Sequence, residues 1–184
     1  MQINVNYLKA AVLAVSKEET RYYLKGVAIQ ANETGVFIVA TDGHRAVAFR
    51  QSETYDGAPI DIIIPSDTVN ALKTKEETVE LGKINGAQYM LGNMIFEPID
   101  GTFPEWRRIV PKEPSGEIAQ FNLSYLGDFA KIAKALGKGT PTRVAHNGGA
   151  AALITFGPDI DGFGLLMPMR VQSAGMDSAP SWAL

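Results

Sequence analysis

The sequence predicts an α+β fold built from three βαβββ units, and three observations carry that reading. Ile3-Asn4-Val5-Asn6-Tyr7-Leu8 returns 118 residues later as Phe121-Asn122-Leu123-Ser124-Tyr125-Leu126, with the order apolar, Asn, apolar, small polar, Tyr, Leu, and each copy opens a helical apolar stripe. Midway between them, Ile62-Ile63-Ile64-Pro65-Ser66-Asp67 makes the same passage from apolar strand to helix start. Each of these three points is followed by three short β-like runs set apart by Gly-containing turns. The chain therefore divides at a spacing of 59 residues into units 1–59, 60–118 and 119–177, with Pro59 and Gly116 near the seams.

In the first unit the strand at Ile3 runs into a helix with Asn6 as the expected N-cap and Leu8, Ala11, Val12 and Val15 as its inner stripe, closed by Lys17-Glu18-Glu19. Strands follow over 23–30, 36–41 and 45–50, turned at Gly35 and Asp42-Gly43. In the second unit Val69 and Leu72 face inward from the helix. Its strands are expected over 78–83, 88–91 and 94–99, with turns at Asn85-Gly86, Gly92-Asn93 and Asp100-Gly101. The third has its helix stripe at Phe129, Ile132, Ala133 and Leu136 and strands over 142–146, 151–156 and 164–169. A βαβββ unit cannot cover both faces of its sheet, so the units must bury surface against one another and the outer ones need neighbours, which points to an oligomer. The segment 171–184 is rich in Ser, Ala and Gly and reads as a flexible tail, with Trp182 and Leu184 as a candidate docking tip.

Composition narrows the function classes. A hydrophobic content of 46% suits a soluble globular chain. No apolar run reaches the roughly 18 to 20 residues of a membrane span, and the first residues lack a basic then apolar leader, so a cytoplasmic protein without membrane contact is expected. The absence of cysteine excludes disulfides, thiolate metal sites and cysteine nucleophiles, and two histidines, His44 and His146, argue against an imidazole metal site. No metal or cofactor is expected. With a net charge of −3, any nucleic-acid binding must come from local placement of Lys and Arg.

The stretch Ala40-Thr41-Asp42-Gly43-His44-Arg45 lies between two apolar runs, and Asp-Gly in that setting is a strong hairpin signal because a primed turn needs positive φ. Its polar residues read either as a solvated turn with a salt bridge or as a functional site. An enzymatic version pairs Asp42 with His44 for acid–base work. That version lacks a nucleophile, a metal constellation and a phosphate loop, so the expectation is a protein that is not an enzyme.

Four passages, in this order, resemble the bacterial DNA polymerase III β subunit family, the sliding clamps: Arg21-Tyr22-Tyr23-Leu24-Lys25-Gly26, Val39-Ala40-Thr41-Asp42-Gly43-His44-Arg45, Phe103-Pro104-Glu105-Trp106-Arg107-Arg108-Ile109-Val110-Pro111, and Leu165-Leu166-Met167-Pro168-Met169-Arg170. The resemblance implies a DNA-clamp fold consisting of one complete clamp-like domain (1–116, two units) plus half a domain (117–170, the third unit), followed by the tail (171–184). This is a shortened clamp, of the kind a phage or plasmid could encode.

The resemblance also implies a function. A clamp is a ring of twelve such units whose helices line a hole for duplex DNA, held without base contacts. Lys131, Lys134 and Lys138 fall on one helix face, and Lys9, Lys73 and Lys75 are expected to add charge on the other two helices. Together with Tyr22 and Tyr23, which match family positions that touch DNA, they are the candidate DNA-binding residues; the bland alternative is a solvated lysine face. The family's second site is a hydrophobic pocket for linear peptides of DNA polymerase, clamp loader and repair proteins. Carried over, it comprises Leu24, Thr41, Gly43, His44, Arg45 and Ala46, then Pro104, Arg108 and Ile109, then Leu165, Leu166, Met167, Pro168, Met169 and Arg170. Ala46 stands where the family has a larger aliphatic residue, and Leu165-Leu166 where it has smaller β-branched ones, which redistributes the pocket volume. At three units per chain, twelve units take four chains, so a homotetramer is expected, with chains meeting like to like. The alternative is a clamp-like interaction protein that binds such peptides without encircling DNA.

Overall fold

The computed structural model describes residues 1–137 and 141–170. Its strands are β1 (Gln2–Asn4), β2 (Gly26–Asn32), β3 (Gly35–Thr41), β4 (Arg45–Ser52), β5 (Ile60–Pro65), β6 (Thr78–Asn85), β7 (Gln88–Leu91), β8 (Met94–Phe96), β9 (Thr142–Ala145), β10 (Ala152–Phe156) and β11 (Gly162–Leu166). Its helices are α1 (Val5–Ala11), α2 (Ser66–Ala71) and α3 (Leu123–Leu136). Each helix is followed by three strands, so the α+β class and the threefold plan hold. The strands form two antiparallel sheets, in the orders β1-β6-β7-β8 and β5-β2-β3-β4-β11-β10-β9. Among the described residues no helix is long and apolar enough to cross a membrane.

The first two units interlock by trading their opening strands: β1 pairs with β6 of the second unit and β5 with β2 of the first. The third unit joins differently, through its last strand, with β11 laid antiparallel along β4. Its expected opening strand at Phe121 does not form. Gln120-Phe121-Asn122 precede α3 as irregular backbone, because a strand requires a neighbour to satisfy its ladder and the described residues of the chain supply none there.

The helix caps correct the sequence reading. Asn4, with φ −68° and ψ 120°, accepts from Tyr7 N–H at 3.0 Å, and α1 has already begun at Val5, which leaves Asn6 inside the first turn. Asn122 likewise accepts from Ser124 N–H at 2.9 Å at the start of α3. The Asn shared by the two copies of the repeat is therefore the capping residue. A 3-10 turn over Val12–Ala14 then rotates the chain so that Ala14, and not Val15, is buried. Tyr22 and Tyr23 lie in a 3-10 segment, Glu19–Leu24, ahead of β2. β8 stops at Phe96; beyond it Ile99 N–H donates to Ile63 O at 2.9 Å and starts a strap across the sheet.

Alternation along the strands sends side chains to two apolar clusters. Leu8, Ile29, Ile38, Phe49, Phe129, Ile132, Ile154 and Phe156 fill the space between the helices and one sheet face. Leu24, Ala28, Val39, Ala48 and Ile63 pack on the other face under Phe103 and Trp106 of the strap. Gly164 in β11 has the Phe129 ring where a Cβ would stand, so only glycine lets α3 seat this closely.

Arg45 fastens the first unit to the third. The residue is only 8% exposed. Its guanidinium pairs through Nη1 with Asp128 Oδ2 on α3, donates from Nη2 to Leu13 O at 3.1 Å, and lies 4.9 Å over the Tyr125 ring. Nε is 3.2 Å from Asp42 Oδ2, close enough for charge pairing though not aligned as a hydrogen bond. Asp128 also accepts from Lys131 Nζ at 2.7 Å. Burial pushes the Asp128 carboxyl up, but the bonds from Lys131 and Arg45 outweigh it and hold the group below its ordinary value.

Replacing Asn4 or Asn122 by Ala is expected to lower stability by about 1 kcal/mol each, while Asn6→Ala changes little; urea unfolding measures the difference. Because the folded Asp128 carboxyl titrates below its unfolded value of about 3.9, its contribution is complete above that pH and is lost as pH falls through the folded value. Asp128→Asn should flatten this acid limb of thermal stability and cost about 1–3 kcal/mol at neutral pH.

Candidate peptide pocket and basic helix face

The hairpin between β3 and β4 is closed by its own side chains. Asp42 Oδ1 accepts from His44 N–H at 2.8 Å and Arg45 N–H at 3.0 Å, while Thr41 Oγ1 donates to Arg45 O at 2.7 Å and accepts from Gly43 N–H at 3.0 Å. Gly43 has φ 90°, and no residue other than glycine takes a positive φ among the described residues, so Asp42 does not enter a primed turn; its carboxylate closes the loop as an Asx turn instead. The His44 ring stacks on Tyr125 at 5.9 Å. These contacts occupy Asp42 with backbone and His44 with an aromatic face, which leaves the acid–base pairing without geometry.

Beside this turn a hollow of about 150 Å³ opens on the sheet face away from the helices. Its lining brings together Leu24, Thr41, Gly43, His44, Arg45, Ala46, Pro104, Ile109, Leu165 and Met167 of the residues expected there, from all three units. The register places Leu165 of β11 opposite Ala46 of β4, so the seam between the first and third units runs along the hollow. Met167 N–H donates to His44 O at 2.9 Å and carries the segment after β11 along the rim. Arg45 contributes to the wall, but its guanidinium lies in the helix layer and is no rim charge.

Five expected residues do not line the hollow. Leu166 is fully buried in the helix-side core, as its alternation with Leu165 requires. Pro168, Met169 and Arg170 border a neighbouring depression with Ile118 and Gln120, and Arg108 is exposed on the 3-10 turn Trp106–Ile109. Two lining residues, Glu105 and Trp106, were missed. Trp106 is the strap's anchor: its Nε1–H donates to Gln30 Oε1 at 3.1 Å, its ring lies against Phe37 and Phe163, and Arg107 covers it at 4.2 Å. A Trp next to Pro104-Glu105 in a connection, needing an apolar face and a partner for its N–H, is the signal that could have found it.

The hollow suits an apolar anchor side chain or two and is small for a cofactor. Ile109 is 49% exposed and Met167 38%, so apolar surface continues around its mouth.

The candidate basic residues are distributed less regularly than expected. Lys131 and Lys134 are exposed on α3, Lys131 being tied to Asp128, and Lys9 is exposed on α1 with Nζ 3.5 Å from Thr74 O. Lys73 and Lys75 are exposed but off the helix, because α2 ends at Ala71 and both sit in the connection to β6. Tyr22 is 54% exposed, whereas Tyr23 packs against the outer-face cluster. Lys138, Trp182 and Leu184 lie outside the described residues.

Residues 3–105 match the sequence model of the DNA polymerase III beta subunit, central domain. The chain is similar to the beta sliding clamp of Caulobacter vibrioides, 32% identical over 114 residues that take in 54% of this chain and 30% of that protein. Its similarity to the beta sliding clamp of Escherichia coli K12 is 28% over 115 residues, 58% of this chain and 31% of that one. The match thus spans under a third of the length of these relatives. In fold, the chain is similar to the DNA polymerase sliding clamp from Bacillus subtilis, with a TM-score of 0.74 at 18% identity over 93% of this chain and 64% of that chain. It is similar also to DNA polymerase III subunit beta from Borrelia burgdorferi, with a TM-score of 0.75 at 15% identity over the same shares. With its central-domain pattern matched over more than half of its length, on a fold shared with these structures, the chain belongs to the DNA polymerase III beta subunit family.

Proposed function

We propose that this chain is a non-enzymatic processivity factor, a sliding clamp that encircles duplex DNA and tethers DNA polymerase, clamp loader or other replication and repair proteins in the cytoplasm through short linear peptides. The observation that carries the reading is the division of the molecule by its sheet: an apolar hollow with Met167 and Trp106 in its walls on one face, and helices with exposed Lys9, Lys131 and Lys134 on the other. An apolar hollow with a Met wall suits peptides of several sequences, since Met repacks easily. Exposed lysines attract phosphates without regard to sequence, which is what sliding needs. Pro168, Met169, Arg170 and Arg108, beyond the hollow, extend the peptide's track in this reading, and Lys73, Lys75 and Tyr22 extend that of DNA.

A closed ring takes four chains, twelve units at three per chain. An open strand edge supports it. β4 and β11 are each the third strand of their units and pair edge to edge; β8 is the third strand of the second unit and its outer edge is open among the described residues, with Ile95 65% exposed. With like ends of two chains meeting across each twofold axis, the assembly has D2 symmetry.

Loading onto nicked circular DNA tests the reading: retention on circles that is lost on linearisation is expected. Peptide binding without such retention would establish the non-encircling interaction protein instead. Ile109→Ala with Met167→Ala should weaken a polymerase-derived peptide about tenfold, or about 1.4 kcal/mol, in a fluorescence titration, with the melting temperature unchanged. Lys134→Glu should lower the salt slope of DNA association by about one; an unaltered slope returns that lysine to the solvated face.

A further inference from the structure

We propose that the third unit is completed by a second copy of this chain, the two third units trading their opening strands so that Gln120-Phe121-Asn122 of each pairs with β9 of the other. This rests on the reading of the chain as part of a closed ring, for which it supplies one joint.

The first two units show the rule. Ile3 of β1 stands opposite Val79 of β6, and Ile64 of β5 opposite Val27 of β2, each two residues before its helix starts. Phe121 has the same place before α3, capped by the same Asn. The receiving strands carry Gly26-Val27-Ala28, Thr78-Val79-Glu80 and Arg143-Val144-Ala145, so Val144 is the third receiver. Only residues 110–122 separate the strap from α3, so no further unit intervenes to fill that place.

The hydrogen bonding on both sides agrees. In β1 the even positions turn toward their own unit, where Gln51 donates from Nε2 to Gln2 O at 2.7 Å and accepts from Asn4 N–H at 2.7 Å; the odd positions bond β6. In the third unit Gln120 O accepts from Met169 N–H of its own unit at 2.8 Å, which directs the N–H and C=O of Phe121 to the open side. On β9, Gly157 N–H donates to Pro141 O at 2.8 Å opposite it, so residues 143 and 145 bond β10 and the backbone groups of Thr142 and Val144 face outward. β9 is the end strand of its sheet, and among the described residues no strand lies beside this row. Upstream, Gly116 and Ala119 N–H groups are held by His146, which limits the exchanged stretch to 120–122.

Apolar exposure concentrates at the same place. Ile118 is 84% and Leu123 80% exposed, flanking the segment on both sides, and Phe121 is only partly buried, whereas its counterparts Ile3 and Ile64 in the completed exchange are fully buried. The occupant is a second copy because one chain presents both the free strand and the free slot. A twofold axis satisfies both at once and buries the same apolar groups twice.

The register puts Gln120 opposite Ala145 of the partner subunit in a pair without mutual hydrogen bonds, the close spacing that a disulfide spans. In this cysteine-free chain, Gln120→Cys and Ala145→Cys variants expressed together should give a covalent dimer on a non-reducing gel, and neither should alone. Native mass spectrometry of the full chain should show an even number of protomers, halved by Val144→Pro, which removes an outward N–H from an edge strand where proline is tolerated. A monomeric or trimeric wild type, no cross-link between the two variants, or an unchanged mass for a folded Val144→Pro chain overturns the proposal. Should that variant fail to fold, the cysteine pair decides. A cross-linked dimer that is not retained on circular DNA upholds the exchange and removes the clamp reading; retention on circles without the cross-link does the reverse.

Discussion

One buried cation holds the outer surface of this molecule in place. An arginine removed from water costs several kcal/mol unless its charge and its donors are met, and Arg45 is met from three directions: carboxylates of Asp42 and Asp128, the Leu13 carbonyl, and the Tyr125 ring. With Lys131 bound to Asp128, the cluster sets two cations against two carboxylates and is neutral as a whole. Because its members come from the β3–β4 hairpin, the 3-10 turn after α1, and α3, it locks the first unit to the third at the place where β4 and β11 pair. The hollow straddles that pairing, so its walls keep their spacing only while the cluster is intact.

The sheet separates an apolar hollow from a helix side with exposed lysines. Residues alternate across it, so Val47 and Phe49 serve the helix side while Ala46 and Ala48 face outward, and Leu165 and Leu166 divide in the same way. Apolar recognition needs an excluded-water hollow; phosphate attraction needs lysines left in solvent. In the proposed function, their placement on opposite faces keeps each in the dielectric that suits it, and a net charge of −3 is compatible with lysines exposed on the helix side.

Open strand edges normally invite uncontrolled pairing. Here the edges of β8 and β9 belong to the second and third units, which join the first through different strands, and they differ in kind: β8 is the last strand of its unit and β9 the first after its helix. In the proposed ring, that difference gives each edge its own partner.

The amino-acid sequence by itself determined the threefold plan, the class and most strand positions, because apolar period and Gly-containing turns are local signals. The family was legible in four short passages for the same reason. It misassigned the cap, since Asn4 and Asn6 are chemically alike and only backbone geometry distinguishes them. Ten residues of the hollow were within reach of the resemblance, whereas Trp106 and Glu105 joined it only when the strap folded across the sheet. The destination of the Arg45 guanidinium, the pairing of β4 with β11 and the place of β9 at the end of its sheet were decided by tertiary structure alone. Each depends on groups brought together from distant parts of the chain, and local pattern carries no information about which neighbour a strand edge or a buried charge will meet.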